Sequence, residues 1–257
     1  MSMNEVKSAK RVLEILQFFA ATQAPATLSQ LSAALGFPKS SCLALLDTLE
    51  ADGYAYQAAG RYYLTRRWLN ESQAVADHDQ LTARIRPALE QLRDQLDETL
   101  ILAQRSGDRV VYLEVAEPGR VLRFSAQVGQ AKPLHASASG RALLGAMDPL
   151  ERAALVARLS LKRHTENTLS SPDQLLAAVQ EGVRRGWHVN FAEHQTDTLS
   201  VAAPLVLHGA VFALVVGAPM HRAGAQADGI GRALVAASRR LVLDLDPPKN
   251  LHSSAKE

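Results

Sequence analysis

The side chains with the most chemical reach are scattered along this chain rather than assembled. Cys42 is the only cysteine in 257 residues, so neither an internal disulfide nor a cysteine-rich zinc or iron–sulfur site can form. With Leu45, Leu46 and Leu49 it completes an i, i+3, i+4, i+7 face, which makes it a small packed side chain rather than a reactive thiol. His188, Glu193 and His194 suggest a metal site or an acid–base pair. Their spacing is no ligand signature, and Glu193-His194 reads better as a structural link between loop and sheet. Ser137, Ser139 and Ser200 lack the Gly-x-Ser-x-Gly elbow that would expose a nucleophile, so capping, turns or ligand hydrogen bonds are their expected work. Gly224, Gly229 and Gly231 fit neither a P-loop nor a dinucleotide fingerprint. Binding rather than turnover is the expectation, with no catalytic residue, no metal and no cofactor.

One cluster does suit recognition of nucleic acid. Lys39, Ser40, Ser41, Leu43 and Ala44 lie on the outer side of the helix whose inner face holds Cys42. Lys39 and the hydroxyls can meet phosphates or base edges, and the free amides at a helix start favour phosphate. Leu43 or Ala44 suits a thymine methyl. Arg61, at the tip of a short hairpin, can reach the backbone or the minor groove. Taken singly, Lys39 and Arg61 are equally well ordinary solvated charges. Charge in bulk does not decide the matter: Lys and Arg total 28 against 26 Asp and Glu, a net +2. Through residue 75 there are seven basic side chains and six acidic ones. Placement, doubled by dimerisation, must supply any affinity for DNA.

The elements that would position these residues follow from periodicity. Lys10–Ala20 spaces Val12, Leu13, Leu16 and Phe19 as a helix. Thr27-Leu28-Ser29-Gln30 is a capping box that opens a second, short helix. Gly36-Phe37 interrupts it, and Pro38 suits the first turn of a third. After Asp52-Gly53 the period becomes alternating, giving two short strands around Ala59-Gly60, with Tyr62 and Leu64 holding the hairpin down. Helix, helix–turn–helix and hairpin together predict a winged helix-turn-helix. Residues 70–80 are polar. A helix over Gln80–Leu96 comes next, then strands at Ile101–Gln104, Val110–Val115 and Val121–Ala126. Helices at Ser137–Met147, Pro149–Arg158 and Pro172–Arg184 precede strands at Val201–Val206 and Val211–Val216 and a helix around Gly229–Leu243. This mixture lacks βαβ spacing and predicts an α+β or α/β/α layered domain. The start carries no signal-peptide pattern and no apolar run reaches membrane-spanning length, so a soluble cytoplasmic protein without a membrane partner is expected.

The run LSQLSAALGFPKSSCLALLDTLEADGYAYQAAGRYYLT resembles the DNA-binding half of the IclR family of bacterial transcriptional regulators. PLHASASGRALLG and RRGWHVNFAEHQTDTLSVAAPLV, with GAVFALVVGAP beyond, resemble its effector-binding half, in the same order and over nearly the whole chain. The resemblance implies a GAF-like C-terminal domain, operator DNA as partner, and a homodimer or tetramer. It implies effector contacts at Ala138, Ser139, Asn190, Ser200, Val215 and Gly217. Where carboxylate-sensing relatives have an acidic side chain, Asn190 is neutral. Ser200 keeps a hydroxyl where cysteine is common, and Val215 and Gly217 replace small polar residues. The family commonly carries an arginine at the position of Ala44, so the operator code departs from the usual one.

The fold expected is therefore α+β. A winged helix-turn-helix over 1–76 joins, through a linker helix over 77–96, a GAF-like mixed α/β effector-binding domain over 97–246, with a tail over 247–257. The function expected is a regulator whose operator affinity is set by a small organic acid, aromatic acids included. A catalytic C-terminal domain and a non-catalytic protein-interaction module remain the alternatives. Phe191 is open between an aromatic pocket wall and a core role.

Overall fold

The computed structural model describes residues 6–247, which divide into two compact units between Asp79 and Gln80. The expected tail over 247–257 lies outside the described residues except for its first member.

The first unit is three helices, a hairpin and a fourth helix. Helix α1 (Lys7–Thr22) buries Ile15 and Phe19, α2 (Leu28–Leu35) buries Leu31, and α3 (Lys39–Ala51) buries Cys42, Leu46 and Leu49 in one shared core. The capping box forms as read: the Gln30 amide donates to Thr27 Oγ1 at 3.3 Å, and the Thr27 amide donates to Gln30 Oε1 at 2.9 Å. Gly36 ends α2 at φ +68°, a left-handed conformation that glycine adopts without strain. Pro38 stands one residue before α3, as its N-cap. Strands β1 (Ala55–Ala58) and β2 (Arg61–Leu64) pair antiparallel about Ala59-Gly60. Both turn residues have positive φ, the combination of a type I′ turn. Tyr62 is buried, and its backbone exchanges hydrogen bonds with Ala26, which fastens the hairpin to the approach to α2. The face of β1 differs from the tyrosine alternation, since Ala55 is buried and Tyr56 stacks in the open on Tyr63. The polar stretch past residue 70 is helical: α4 (Arg67–His78) fully buries none of its described side chains and is tied down by Trp68, whose indole donates to Tyr54 O at 3.1 Å.

The second unit is a six-stranded antiparallel sheet with helices on both faces. Its strands are β3 (Thr99–Ser106), β4 (Arg109–Ala116), β5 (Ala131–Pro133), β6 (His188–Phe191), β7 (Thr198–Leu207) and β8 (Ala210–Pro219), in spatial order β5-β4-β3-β8-β7-β6. Alternation along each strand builds two cores. Leu100, Leu102, Leu199, Val201, Leu214 and Val216 face α5 (Gln80–Leu96) and α10 (Ala227–Leu245), the latter reached through the short α9 (Met220–Ala223). Ile101, Ala103, Ala202, Ala213 and Val215 face α6 (Ala138–Gly145), α7 (Pro149–Arg158) and α8 (Pro172–Arg185). Helix α5 belongs to the first of these cores through Ile85, Leu89 and Leu92.

One expected strand is absent. Val121–Ala126 runs as an irregular strap, and its backbone bonds go elsewhere than to a neighbouring strand. Glu117 accepts from the Ala126 amide and from Ser125, Thr99 Oγ1 donates to the Phe124 carbonyl at 2.5 Å, and Arg222 donates to the Leu122 carbonyl. Val121 and Leu122 stand in the open while Phe124 and Ala126 turn inward, so the apolar letters mark a strap packed over the core rather than a paired strand.

Candidate functional site

In the first unit, the outer face of α3 presents the residues read as DNA contacts. Lys39, Ser40, Leu43 and Ala44 are exposed, and Ser41 is half-buried. Ser41 is already engaged: Arg11 Nη1 donates to its hydroxyl at 2.7 Å, while the same guanidinium lies over the Phe37 ring. That puts a cation from α1 beside the start of α3, which position-by-position reading of α3 misses. Arg61 is exposed at the hairpin tip, where its Nη1 makes long contacts to Pro25 O at 3.3 Å and Gln30 Oε1 at 3.4 Å.

In the second unit, five of the six residues implied as effector contacts line one pocket: Ser139, Asn190, Ser200, Val215 and Gly217. The register explains the grouping. Asn190 on β6 pairs with Ser200 on β7, which pairs with Gly217 on β8, so three side-chain positions form a single row across the sheet. Val215 lies two residues along β8 on the same face. Ala138 is fully buried and packs into the core under α6 instead of facing the pocket.

The polar end of the pocket is built by α6. Ser137 caps the helix, accepting from the Gly140 amide at 3.0 Å, and donates its own proton to Pro133 O at 2.9 Å. Ser137 and Ser139 line the pocket from this helix start, whose amides favour an anion. Asn190 is 3% exposed; its Oδ1 accepts from the Glu193 amide at 3.1 Å, but Nδ2 has no hydrogen-bond partner among the described residues. A buried amide donor left unpaired costs about 1–3 kcal/mol, and a ligand oxygen would relieve it.

Six further lining residues are not among the implied contacts: Tyr112 and Phe124 on segments expected as strands, Lys132, and His194, Gln195 and Thr198 within the segment that resembles the family. Phe124 fills the room that Gly217 leaves, because a Cβ on Gly217 would fall 2.5 Å from the ring. Burial pushes the Tyr112 phenol up to about 12, so it stays a neutral hydroxyl. Burial, then the charge of Lys132 and the neighbouring His164 and His135, pulls His194 down to about 4, so it too is neutral near pH 7. Phe191 is 44% exposed and lies outside the pocket. Glu193 is expected to link loop and sheet; its carboxylate instead meets Arg141 Nη2 at 2.5 Å, both side chains buried, which ties the loop after β6 to α6. Among the described residues no group of His, Cys, Asp and Glu is arranged to hold a metal, and no carboxylate lines the pocket.

Comparison with known proteins decides the lineage. Residues 8–59 match the IclR helix-turn-helix domain, and residues 73–242 match the C-terminal domain of the bacterial transcriptional regulator IclR. The chain belongs to the IclR family. It is 32% identical to the transcriptional regulator SauR of Cupriavidus necator over 86% of this chain and 90% of that one. A solved transcriptional regulator from Rhodococcus sp. RHA1 superposes with a TM-score of 0.74 at 25% identity, covering 92% and 98% of the two chains. An IclR homologue from Microbacterium hydrocarbonoxydans, solved in complex with 4-hydroxybenzoate, gives 0.73 at 22% identity, covering 91% and 98%. As an IclR-family member the protein is a DNA-binding transcriptional regulator with an effector-binding domain, not an enzyme. No helix among the described residues is long and apolar enough to cross a membrane.

Proposed function

We propose that this regulator works in the cytoplasm as a homo-oligomer whose affinity for operator DNA is controlled by a small organic acid, aromatic acids included. The observation that carries the acid is the pocket's chemistry. An unpaired buried donor on Asn190, the hydroxyls of Ser139 and Ser200 and the α6 N-terminus line a pocket in which no carboxylate is present among the described residues. Such a lining repels nothing anionic and offers a cation no partner. The homologue bound to 4-hydroxybenzoate supports an aromatic carboxylate as one acceptable body. The six-stranded antiparallel sheet, clad on both faces, supports the GAF-like reading of the domain.

At the other end, α3 acts as the recognition helix and the β1–β2 hairpin as a wing. Lys39 and the α3 amides contact phosphate, with Arg61 at the wing tip, while Leu43 and Ala44 face bases. Selection of genomic fragments by the full-length protein, with and without added acids, tests the whole scheme. Sequence-selective enrichment that shifts with an acid is expected; none under any condition overturns it. In the same format Lys39→Ala should weaken most sites and lower the salt dependence by about one ion. Leu43→Gln should change which sites are enriched.

A further inference from the structure

Among the described residues that line the pocket, Lys132 is the one lysine or arginine. Most of the residue is buried but its ammonium still reaches solvent, and among the described residues that ammonium makes no hydrogen bond and no ion pair. The feature facing it is the Phe124 ring, with Nζ 6.0 Å from the centroid. Of the buried charges among this unit's described residues, Arg141 meets Glu193, Glu98 takes both Arg222 Nε and Nη2 at 2.6 and 2.7 Å, and Arg152 has the Met147 carbonyl but no carboxylate. Lys132 differs in that it lines the pocket.

Its place in the sheet shows where a partner charge would have to come from. Lys132 sits on β5, one edge strand, and pairs with Val110, whose side chain belongs to the core under α6. Asn190 sits on β6, the opposite edge strand. Between them the pocket floor is supplied by Tyr112 on β4, Ile101 on β3 and Val215 on β8. Every strand thus contributes to one curled trough, with donors at one edge, a cation from the other, and an apolar stretch between. A ligand with a single acid group would cover the lysine with its apolar body and leave the ammonium desolvated and unpaired.

We propose that the occupant is an acid with two anionic ends, and that Lys132 is the specificity-determining residue that pairs with the second. This rests on the organic-acid reading of the same pocket: the first carboxylate is held by the Asn190 amide and the start of α6, and the body lies over Ile101 and Val215. Two matched pairs of acids, hexanoate against adipate and benzoate against terephthalate, test it by calorimetry on the full-length protein. In the wild type at least one diacid should bind about tenfold or more tightly than its monoacid, as suits a charge-assisted contact. Lys132→Met should erase that preference and leave monoacid affinity within about threefold, a shift well under one decade. Lys132→Arg should retain most of it, and thermal melts check that both variants fold. Asn190→Ala should weaken both acids of a pair alike. A wild type that prefers monoacids, or a Lys132→Met protein that keeps the diacid preference or loses both acids equally, overturns the assignment while the acid reading stands. If no acid binds the wild type, the acid reading fails and takes this one with it.

Discussion

His188 shows how packing sets the chemistry of a single residue. Its ring is wedged between α6 and α8, where a Cβ on Gly182 would come within 2.0 Å of Nδ1 and one on Gly145 within 2.9 Å of Nε2. Burial, reinforced by Arg141, Arg185 and Arg152, lowers its pKa from 6.5 to about 3. The folded protein therefore keeps His188 neutral while the unfolded chain takes up a proton below about pH 6.5. More protons bind to the unfolded state in that window, so this contribution to stability is intact above it and is lost as the pH falls towards 3. At about 1.4 kcal/mol per pH unit, the loss from His188 alone is about 2 kcal/mol at pH 5. Denaturant unfolding of the wild type and of His188→Asn from pH 7 to pH 5 tests this. The variant should be less stable at pH 7 but show a shallower decline. Equal slopes would mean that His188 is not the group being protonated. Glu193, whose pKa burial raises despite Arg141, contributes with the opposite sign, but it is present in both proteins. The residues at the pocket divide the same way between what letters show and what packing decides. Asn190, Ser200 and Gly217 are legible because their segments resemble a known family. Lys132 is not, since β5 is three residues long and no periodicity marks a side chain as facing a cavity.

At the scale of elements, the corner between β5 and α6 fixes the pocket's polar end. Gly140 makes that corner possible: a Cβ there would lie 1.9 Å from the Leu134 carbonyl oxygen and 2.6 Å from its carbon. These are backbone atoms, so no rotamer change relieves the clash. Gly140→Ala gains up to about 1 kcal/mol of helix propensity but must open the corner, and overpacking of this kind costs about 1–3 kcal/mol or more. A lower melting temperature and weaker acid binding are expected together, because Ser137 and Ser139 move with the helix start. Gly229 on α10 is the matched control, exposed and with open space for 4 Å around the site an alanine methyl would take. Gly229→Ala should raise stability by about 0.5–1 kcal/mol and leave acid binding unchanged. If both alanines stabilise, the tight corner is not a constraint. Long periodic elements are readable from the sequence: α1, α3, α5, α7, α8, α10, β7 and β8 all fall where spacing places them. The strap over 121–126 defeats that reading because its apolar letters alternate, although Val121 and Leu122 face solvent and side chains hold its backbone. Strand β6 escapes it because four residues carry too little pattern, even with Asn190 and His188 on its inner face.

For the molecule as a whole, regulation is a statement about linked equilibria. An acid that binds the second unit can alter operator affinity only if the two DNA-binding states differ in their affinity for the acid. If saturating acid changes the operator dissociation constant by some factor, saturating operator must change the acid dissociation constant by the same factor. Couplings of this kind usually run to about 1–3 kcal/mol, or roughly 5- to 150-fold. Anisotropy of a labelled operator gives the first ratio, and calorimetry of the acid against free and operator-saturated protein gives the second. Both are measured at one salt concentration, because phosphate contacts make DNA affinity fall steeply with salt. They are also measured at one protein concentration, so that self-association enters both ratios equally. A common factor different from one, in whichever direction, shows that acid and operator are coupled through the protein. Its direction separates operator binding released by acid from operator binding that needs it, and a factor of one would mean that the acid does not control operator binding. Unequal ratios would place the acid's effect outside the protein's own coupling. Asn190→Ala sharpens the test: once enough acid is added to fill the weakened pocket, the coupling factor should return, because the donor holds the ligand in both states.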